Sequence, residues 1–163
     1  MITGIVVGLG VLALSVLYVT WTAGRLDRLH ARVDAAWAAL DVALVRRAAA
    51  ARAVAAALPA GPEAAALEHA ARVTLDVGPH GREALENDLS RALRGALPVL
   101  PPDADLTELE QASTRVGLAR SFHNAAVRNT RVVRLRRLPR ALHLAGHREL
   151  PQYFEIDDTT VPH

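Results

Sequence analysis

The chain begins with a long apolar stretch, and charged residues appear only after it. Residues 2–23 contain no charged side chain. At about 1.5 Å of rise per residue, a helix of this length spans the roughly 30 Å hydrocarbon core of a bilayer. Amphipathic aromatic rings favour the headgroup level, and two of them stand near the end of the stretch. The pattern predicts a transmembrane anchor over residues 1–24, with four residues at the membrane interface: Tyr18, Trp21, Arg25 and Arg28.

A cleaved signal peptide and a buried core helix are the two alternatives to an anchor. Signal peptides carry a positive segment before the apolar run, and only residues 1–3 precede the first glycine here. They also end in small residues, which Trp21-Thr22-Ala23 does not provide. A core helix rarely lacks a polar face over such a length. These comparisons favour the anchor.

The distribution of arginine predicts an orientation for this anchor. No Lys or Arg precedes the apolar stretch, whereas Arg25, Arg28 and Arg32 follow it closely. Basic residues flanking a membrane span concentrate on the cytoplasmic side. We therefore expect a single-pass protein of the cell membrane, with its N-terminus outside and its remaining residues in the cytoplasm.

Beyond the anchor, apolar residues recur every three or four positions, as in amphipathic helices. The first stripe extends from Leu26 to Leu58, and no helix breaker lies between Gly24 and Pro59. The first soluble helix is therefore expected to continue directly from the anchor. Three further helices are predicted over about 63–77, 82–97 and 105–138. Their expected core positions are Leu67, Ala71, Leu75, Leu85, Leu89, Ala92, Ala96, Leu109, Ala112, Val116, Ala119, Phe122, Ala126 and Val133.

Proline and glycine separate the predicted helices at residues 59–62, 78–81 and 98–102. Asp105, followed by Glu108, resembles a capping box at the start of the last helix. Amphipathic helices joined by short turns, without strand-like alternation, indicate an all-α protein. We expect an antiparallel four-helix bundle over residues 25–140 and a short helix with an extended acidic tail over 141–163.

Charge is distributed unevenly along the chain, although the net charge is only +2. The segment between Gln111 and Arg148 contains no acidic residue. Its arginines are interpreted as a contact surface for anionic lipid or an acidic partner, or as a solvated helix face. Nucleic acid is disfavoured as a partner because no aromatic residues alternate with these arginines. The six clustered members are Arg128, Arg131, Arg134, Arg136, Arg137 and Arg140.

Few residues suggest catalytic or metal chemistry. The absence of cysteine excludes disulfides and thiolate sites. His143 and His147 stand four apart, as in a metal site on a helix, but no glutamate lies between them. A surface histidine pair is the favoured interpretation. The turn at residues 78–81 lacks the lysine of a phosphate-binding loop. We therefore expect no enzyme activity, no cofactor, no metal and no small-molecule substrate.

Two segments resemble conserved parts of the LemA family. Residues 25–37, RLDRLHARVDAAW, and 40–48, LDVALVRRA, are similar to the first soluble helix of that family. Residues 119–128, ARSFHNAAVR, resemble its Ala-Arg-x-x-x-Asn-x-Ala-Val-Arg helix. Leu144-Ala145-Gly146, with Tyr153-Phe154-Glu155 and Asp157-Asp158, resembles its closing segment.

The chain departs from the family between these segments. Ala50-Ala51-Arg52-Ala53 replaces the usual Ile-Pro-Asn-Leu, and the usual Tyr-Pro is absent at Ala96-Leu97-Pro98. The break at residues 59–62 interrupts a helix that is normally longer. The resemblance thus indicates a divergent, alanine-rich member. It implies an antiparallel helical bundle on one anchor, a scaffold or interaction role with a protein partner or self-association, and no established enzyme activity.

Overall fold

The computed structural model describes residues 2–76, 78, 81–135 and 149–156, and this part of the chain is helical without strands. The all-α class is therefore confirmed, with one long apolar helix at the N-terminal end of a helical bundle. The elements, in chain order, are α1 (Ile2–Ala57), α2 (Pro62–Asp76), α3 (Arg82–Ala96), a 3₁₀ turn (Leu97–Val99) and α4 (Thr107–Arg134).

Helix α1 contains 56 residues without interruption, which confirms the predicted continuity between the apolar stretch and the first soluble helix. Alanine, leucine and arginine dominate its second half, and all three favour helix strongly. The helix ends at Ala57 because Pro59 has no N–H to donate and its ring opposes continuation. The N–H of Leu58 donates to the carbonyl of Ala55 at 3.3 Å and closes the last turn.

Helices α2 and α3 begin with residues that suit helix N-termini. Pro62 occupies the first position of α2, where a missing N–H costs nothing. Gly81 precedes α3 with φ of 74°, a left-handed conformation that glycine adopts without steric cost. The predicted helix over residues 63–77 agrees with α2, and the one over 82–97 agrees with α3.

Helix α4 differs from its prediction at both ends. A side-chain oxygen of Asp105 accepts the N–H of Thr107 at 2.9 Å, and no bond to Glu108 is formed. Hydrogen bonds from the Thr107 hydroxyl and N–H lower the pKa of the Asp105 carboxyl. The helix ends at Arg134 rather than near residue 138.

The chain forms two compact units. Unit 1 comprises residues 1–35 and 125–152, and unit 2 comprises residues 36–124 and 153–163. In unit 1 the two helical segments each bury one face, and the hydroxyl of Thr130 donates to the carbonyl of Leu29 at 3.4 Å. The buried side chains of these faces are Thr22, Leu26, His30, Val33, Val127, Thr130 and Val133.

Unit 2 has a core built largely of alanine and leucine. One cluster joins α1, α2, α3 and the start of α4, and a second joins α1, α4 and the segment around Phe154. Ala48, Ala51, Ala71 and Ala112 are completely buried. Such small side chains allow helix axes to approach closely, since interaxial distance depends on the residues at the contact.

Most predicted core positions are buried or half-buried, but the prediction for Phe122 was wrong. Phe122 is 64% exposed, and its neighbour His123 is buried at 4%. Helical spacing allows the next buried residue after Ala119 to lie three positions on, at Phe122, or four positions on, at His123. Hydrophobicity alone favoured Phe122. The ring of His123 packs against Trp37 with centroids 5.4 Å apart, and this contact selects the step of four.

Candidate functional site

The first candidate site is the apolar part of α1, whose large side chains are exposed. Its large residues from Ile2 to Leu17 are all at least 55% exposed. The hydroxyls of Ser15 and Thr20 donate to backbone carbonyls of their own helix, at 2.8 Å and 3.0 Å. Polar groups satisfied in this way need no water. Among the described residues, this helix alone is long and apolar enough to cross a membrane.

The four predicted interface residues lie together at the end of this apolar surface. Tyr18 and Trp21 are 43% and 56% exposed. The guanidinium carbon of Arg25 lies 5.6 Å from the centroid of the Trp21 ring, within cation–π range. Arg28 folds back toward Gly24, with a guanidinium nitrogen 3.5 Å from where a Cβ at that position would stand. Both arginines therefore extend toward the apolar segment.

The predicted basic surface on α4 is only partly within the described residues. Arg128 is exposed. Arg131 donates to the carbonyl of Pro151 at 3.4 Å, and Arg134 donates to that of Glu149 at 2.6 Å. These two side chains thus hold the segment around Pro151 against α4 in unit 1. The other three members of the cluster, Arg136, Arg137 and Arg140, lie outside the described residues.

A buried ionic network in unit 2 was not predicted. Nη2 of Arg47 lies 2.5 Å from Oε2 of Glu86, and the two side chains are 5% and 0% exposed. Arg82 pairs with Asp41, and its Nε lies 3.7 Å from Oε1 of Glu86. The hydroxyl of Ser90 lies 3.4 Å from Arg47. The network therefore links α1 to α3 through two arginines that flank one carboxylate.

Burial controls the ionisation of this network. Loss of hydration raises the pKa of the Glu86 carboxyl above 4.5, although Arg47 and Arg82 both act in the opposite direction. A buried charge is tolerated only when paired and hydrogen-bonded. Removing Arg47 therefore leaves the Glu86 carboxylate with only the longer contact to Arg82.

A regular spacing of polar residues coincides with this network, and the spacing of apolar residues alone does not reveal it. Arg82, Glu86 and Ser90 recur every four residues on α3, and Arg47 stands beside core residues of the α1 stripe.

The segment at residues 153–156 is fixed to α4 and α1 in unit 2. The side-chain amide of Asn124 donates to the carbonyl of Phe154 at 3.1 Å and accepts its N–H at 2.9 Å. Arg120 donates to the carbonyl of Ile156 at 2.9 Å. The ring of Phe154 packs edge-on against Trp37, with centroids 5.6 Å apart. An extended segment thus gains both backbone and side-chain partners.

No grouping of three or more potential metal ligands occurs among the described residues. The predicted histidine pair, His143 and His147, lies outside them. Comparison of the chain with known protein families, curated proteins and solved structures found no match.

Replacement of Arg47 by methionine is predicted to destabilise unit 2 by about 3–5 kcal/mol near neutral pH, because Glu86 would be buried without its closest partner. The loss should shrink at low pH. Below about pH 4.5 the carboxyl is protonated in the folded and unfolded states, whereas above it the folded state resists ionisation. Denaturant unfolding in detergent at acidic and neutral pH measures both effects.

The matched control is Arg91→Met, which removes an arginine from an exposed ion pair with Asp88 on α3. Exposed pairs contribute about 0–1 kcal/mol, so this change should have little effect at either pH. A second control, Arg47→Met with Glu86→Leu, should recover much of the stability. Equal losses for Arg47→Met and Arg91→Met would contradict the structural role of the network.

Proposed function

We propose that this chain is a single-pass membrane protein of the LemA type, whose helical bundle acts as a scaffold or interaction module rather than as an enzyme. One observation carries the proposal: a single unbroken helix bears a fully exposed apolar segment and then supplies one wall of the core. Contiguous exposed apolar surface of this extent is unfavourable in water and suits a bilayer.

The contacts of the closing segment support the LemA assignment. The two motifs that carry the resemblance toward the C-terminal end are residues 119–128 and 153–155. Arg120 and Asn124, from the first motif, bind the backbone of the segment that contains the second. The recurrence of an Arg-x-x-x-Asn spacing then has a physical reason, since these side chains anchor an extended chain on a helix.

A role without catalysis is supported by how the buried polar groups are used. Arg47, Arg82, Glu86 and Asp41 bind one another and join two helices. Such an arrangement fixes helix register, which is a structural use of charge.

An interaction role is supported by exposed apolar residues on α4. Leu118 and Phe122 stand four apart, on one face of the helix, and are 59% and 64% exposed. Aromatic residues are enriched at the centres of protein interfaces. We propose that this face contacts a protein partner or a second copy of the chain.

The proposed orientation places the N-terminus outside and the bundle in the cytoplasm. Arg25, Arg28 and Arg32 follow the apolar segment directly. These three arginines lie within the roughly 15–20 residues beyond a span over which basic residues set its orientation.

Binding of anionic lipid through the arginine cluster of α4 is the alternative function, and it receives less support. Arg131 and Arg134 are engaged with backbone carbonyls of the segment that they hold. Their bonds indicate a structural contribution within unit 1.

Substitution of both Leu9 and Leu12 by arginine is predicted to release the protein from the membrane. Each arginine near a bilayer centre costs about 2.5–3.5 kcal/mol of insertion free energy. Carbonate extraction followed by immunoblotting measures the membrane-bound fraction. The matched variant with alanine at both positions should remain bound, and intact mass should show an uncleaved chain. A bound, full-length arginine variant or a cleaved wild type would refute the anchor.

Labelling of a single introduced cysteine tests the predicted orientation. The chain has no cysteine of its own, so every label must come from the introduced residue. A membrane-impermeant maleimide should label Thr114→Cys, on the exposed surface of α4, only after the cells are permeabilised. Labelling of this variant in intact cells would place the bundle outside.

A photo-crosslinking amino acid in place of Phe122 is predicted to give one defined adduct in membranes, either a dimer or a complex with one partner. The same probe in place of Thr114, which is also exposed on α4, should give much less product. A strictly monomeric protein with probes at Leu118 and Phe122 would overturn the interaction role.

A further inference from the structure

Five side chains form a single stripe on α1 where the apolar segment ends. The steps between them are three, four, three and four residues, so all five lie on one face of the helix. Two are aromatic and three are basic, and all of them are exposed. The stripe, which we call the aromatic–arginine face, consists of Tyr18, Trp21, Arg25, Arg28 and Arg32.

The acidic residues of this region lie on the other side of the helix. At about 100° per residue, Asp27 and Asp34 are displaced by roughly 140° and 160° from Arg32. No carboxylate pairs with Arg25, Arg28 or Arg32 within the described residues. The aromatic–arginine face therefore carries a local positive charge that no carboxylate among the described residues neutralises.

The geometry of the first two arginines directs this charge toward the membrane. Arg25 stacks over Trp21 with its guanidinium carbon 5.6 Å from the ring centroid. A stacked guanidinium retains N–H donors at its edge, and these suit phosphate oxygens. Arg28 folds back into the space left by Gly24. Both side chains thus extend from positions beyond Trp21 toward the level of the aromatic rings.

We infer that the aromatic–arginine face is a binding site for an anionic phospholipid headgroup. The phosphate oxygens accept hydrogen bonds from Arg25 and Arg28, while Tyr18 and Trp21 contact the glycerol and upper acyl region. A lipid is the occupant, rather than a soluble phosphate, because the aromatic pair is continuous with the apolar surface of residues 2–17. This inference rests on the membrane anchoring proposed above.

The test uses the full chain with Trp37→Phe, so that Trp21 is the remaining tryptophan. The protein is reconstituted into phosphatidylcholine vesicles containing the same low fraction of chain-brominated phosphatidylglycerol or chain-brominated phosphatidylcholine. Bromine quenches tryptophan fluorescence on contact. Each arginine near an anionic surface contributes about a fivefold preference, so brominated phosphatidylglycerol should be enriched at Trp21 at least fivefold.

Two matched double variants test whether the lipid preference depends on the aromatic–arginine face. Arg25→Gln with Arg28→Gln should make the two brominated lipids quench equally. Arg46→Gln with Arg72→Gln removes the same charge from exposed positions in unit 2 and should leave the preference intact. Added glycerol 3-phosphate at millimolar concentration should not compete. Retention of phosphatidylglycerol by the protein with both tryptophans, measured by native mass spectrometry, provides a readout independent of Trp37→Phe.

The outcomes separate this inference from the proposed anchor. Equal quenching of the parent protein by both lipids leaves the anchor standing and overturns the headgroup site. Absence of quenching by either lipid overturns the anchor itself. A preference that survives in the Arg25 and Arg28 variant, that disappears in the Arg46 and Arg72 variant, or that yields to glycerol 3-phosphate also overturns the site.

Discussion

The continuity of α1 is the constraint on which the other features depend. One helix of 56 residues presents apolar side chains all around its first part and a single apolar stripe along its second. The backbone hydrogen bonds of a continuous helix fix the position of each side chain relative to its neighbours on that helix. The arginines that follow the segment take fixed positions on defined faces of the same helix.

An alanine-rich core creates a second requirement, which the ionic network meets. Alanine buries little apolar area, so each contact in unit 2 contributes less than a leucine or phenylalanine contact. Smooth alanine surfaces also specify helix register weakly, because few knobs enter holes. Arg47, Arg82 and Glu86 form directional contacts at defined distances, which alanine side chains cannot form. Burial of these charges costs desolvation free energy, and their contacts in turn define how α1 pairs with α3.

The segment around Phe154 illustrates how an irregular chain becomes part of a helical core. Its backbone has no strand partner, and Asn124 satisfies both a donor and an acceptor of Phe154. Trp37, His123 and Phe154 then form an aromatic contact that covers the same region. The side-chain amide of Asn124 thus forms the hydrogen bonds that a neighbouring strand would otherwise form.

Apolar periodicity determined the number and approximate bounds of the helices, because helix formation follows from local spacing, propensity and proline or glycine breaks. The absence of charge over residues 2–23 likewise determined the exposed apolar segment. Tertiary structure alone decided the burial of Glu86 and the choice of His123 over Phe122, since both depend on partners distant in sequence. It also decided that Arg131 and Arg134 bind carbonyls around Pro151, whereas Arg25 and Arg28 extend toward the aromatic end of the apolar segment. Local sequence specifies which face of a helix a side chain occupies. Only the folded chain specifies which residues pack against that face.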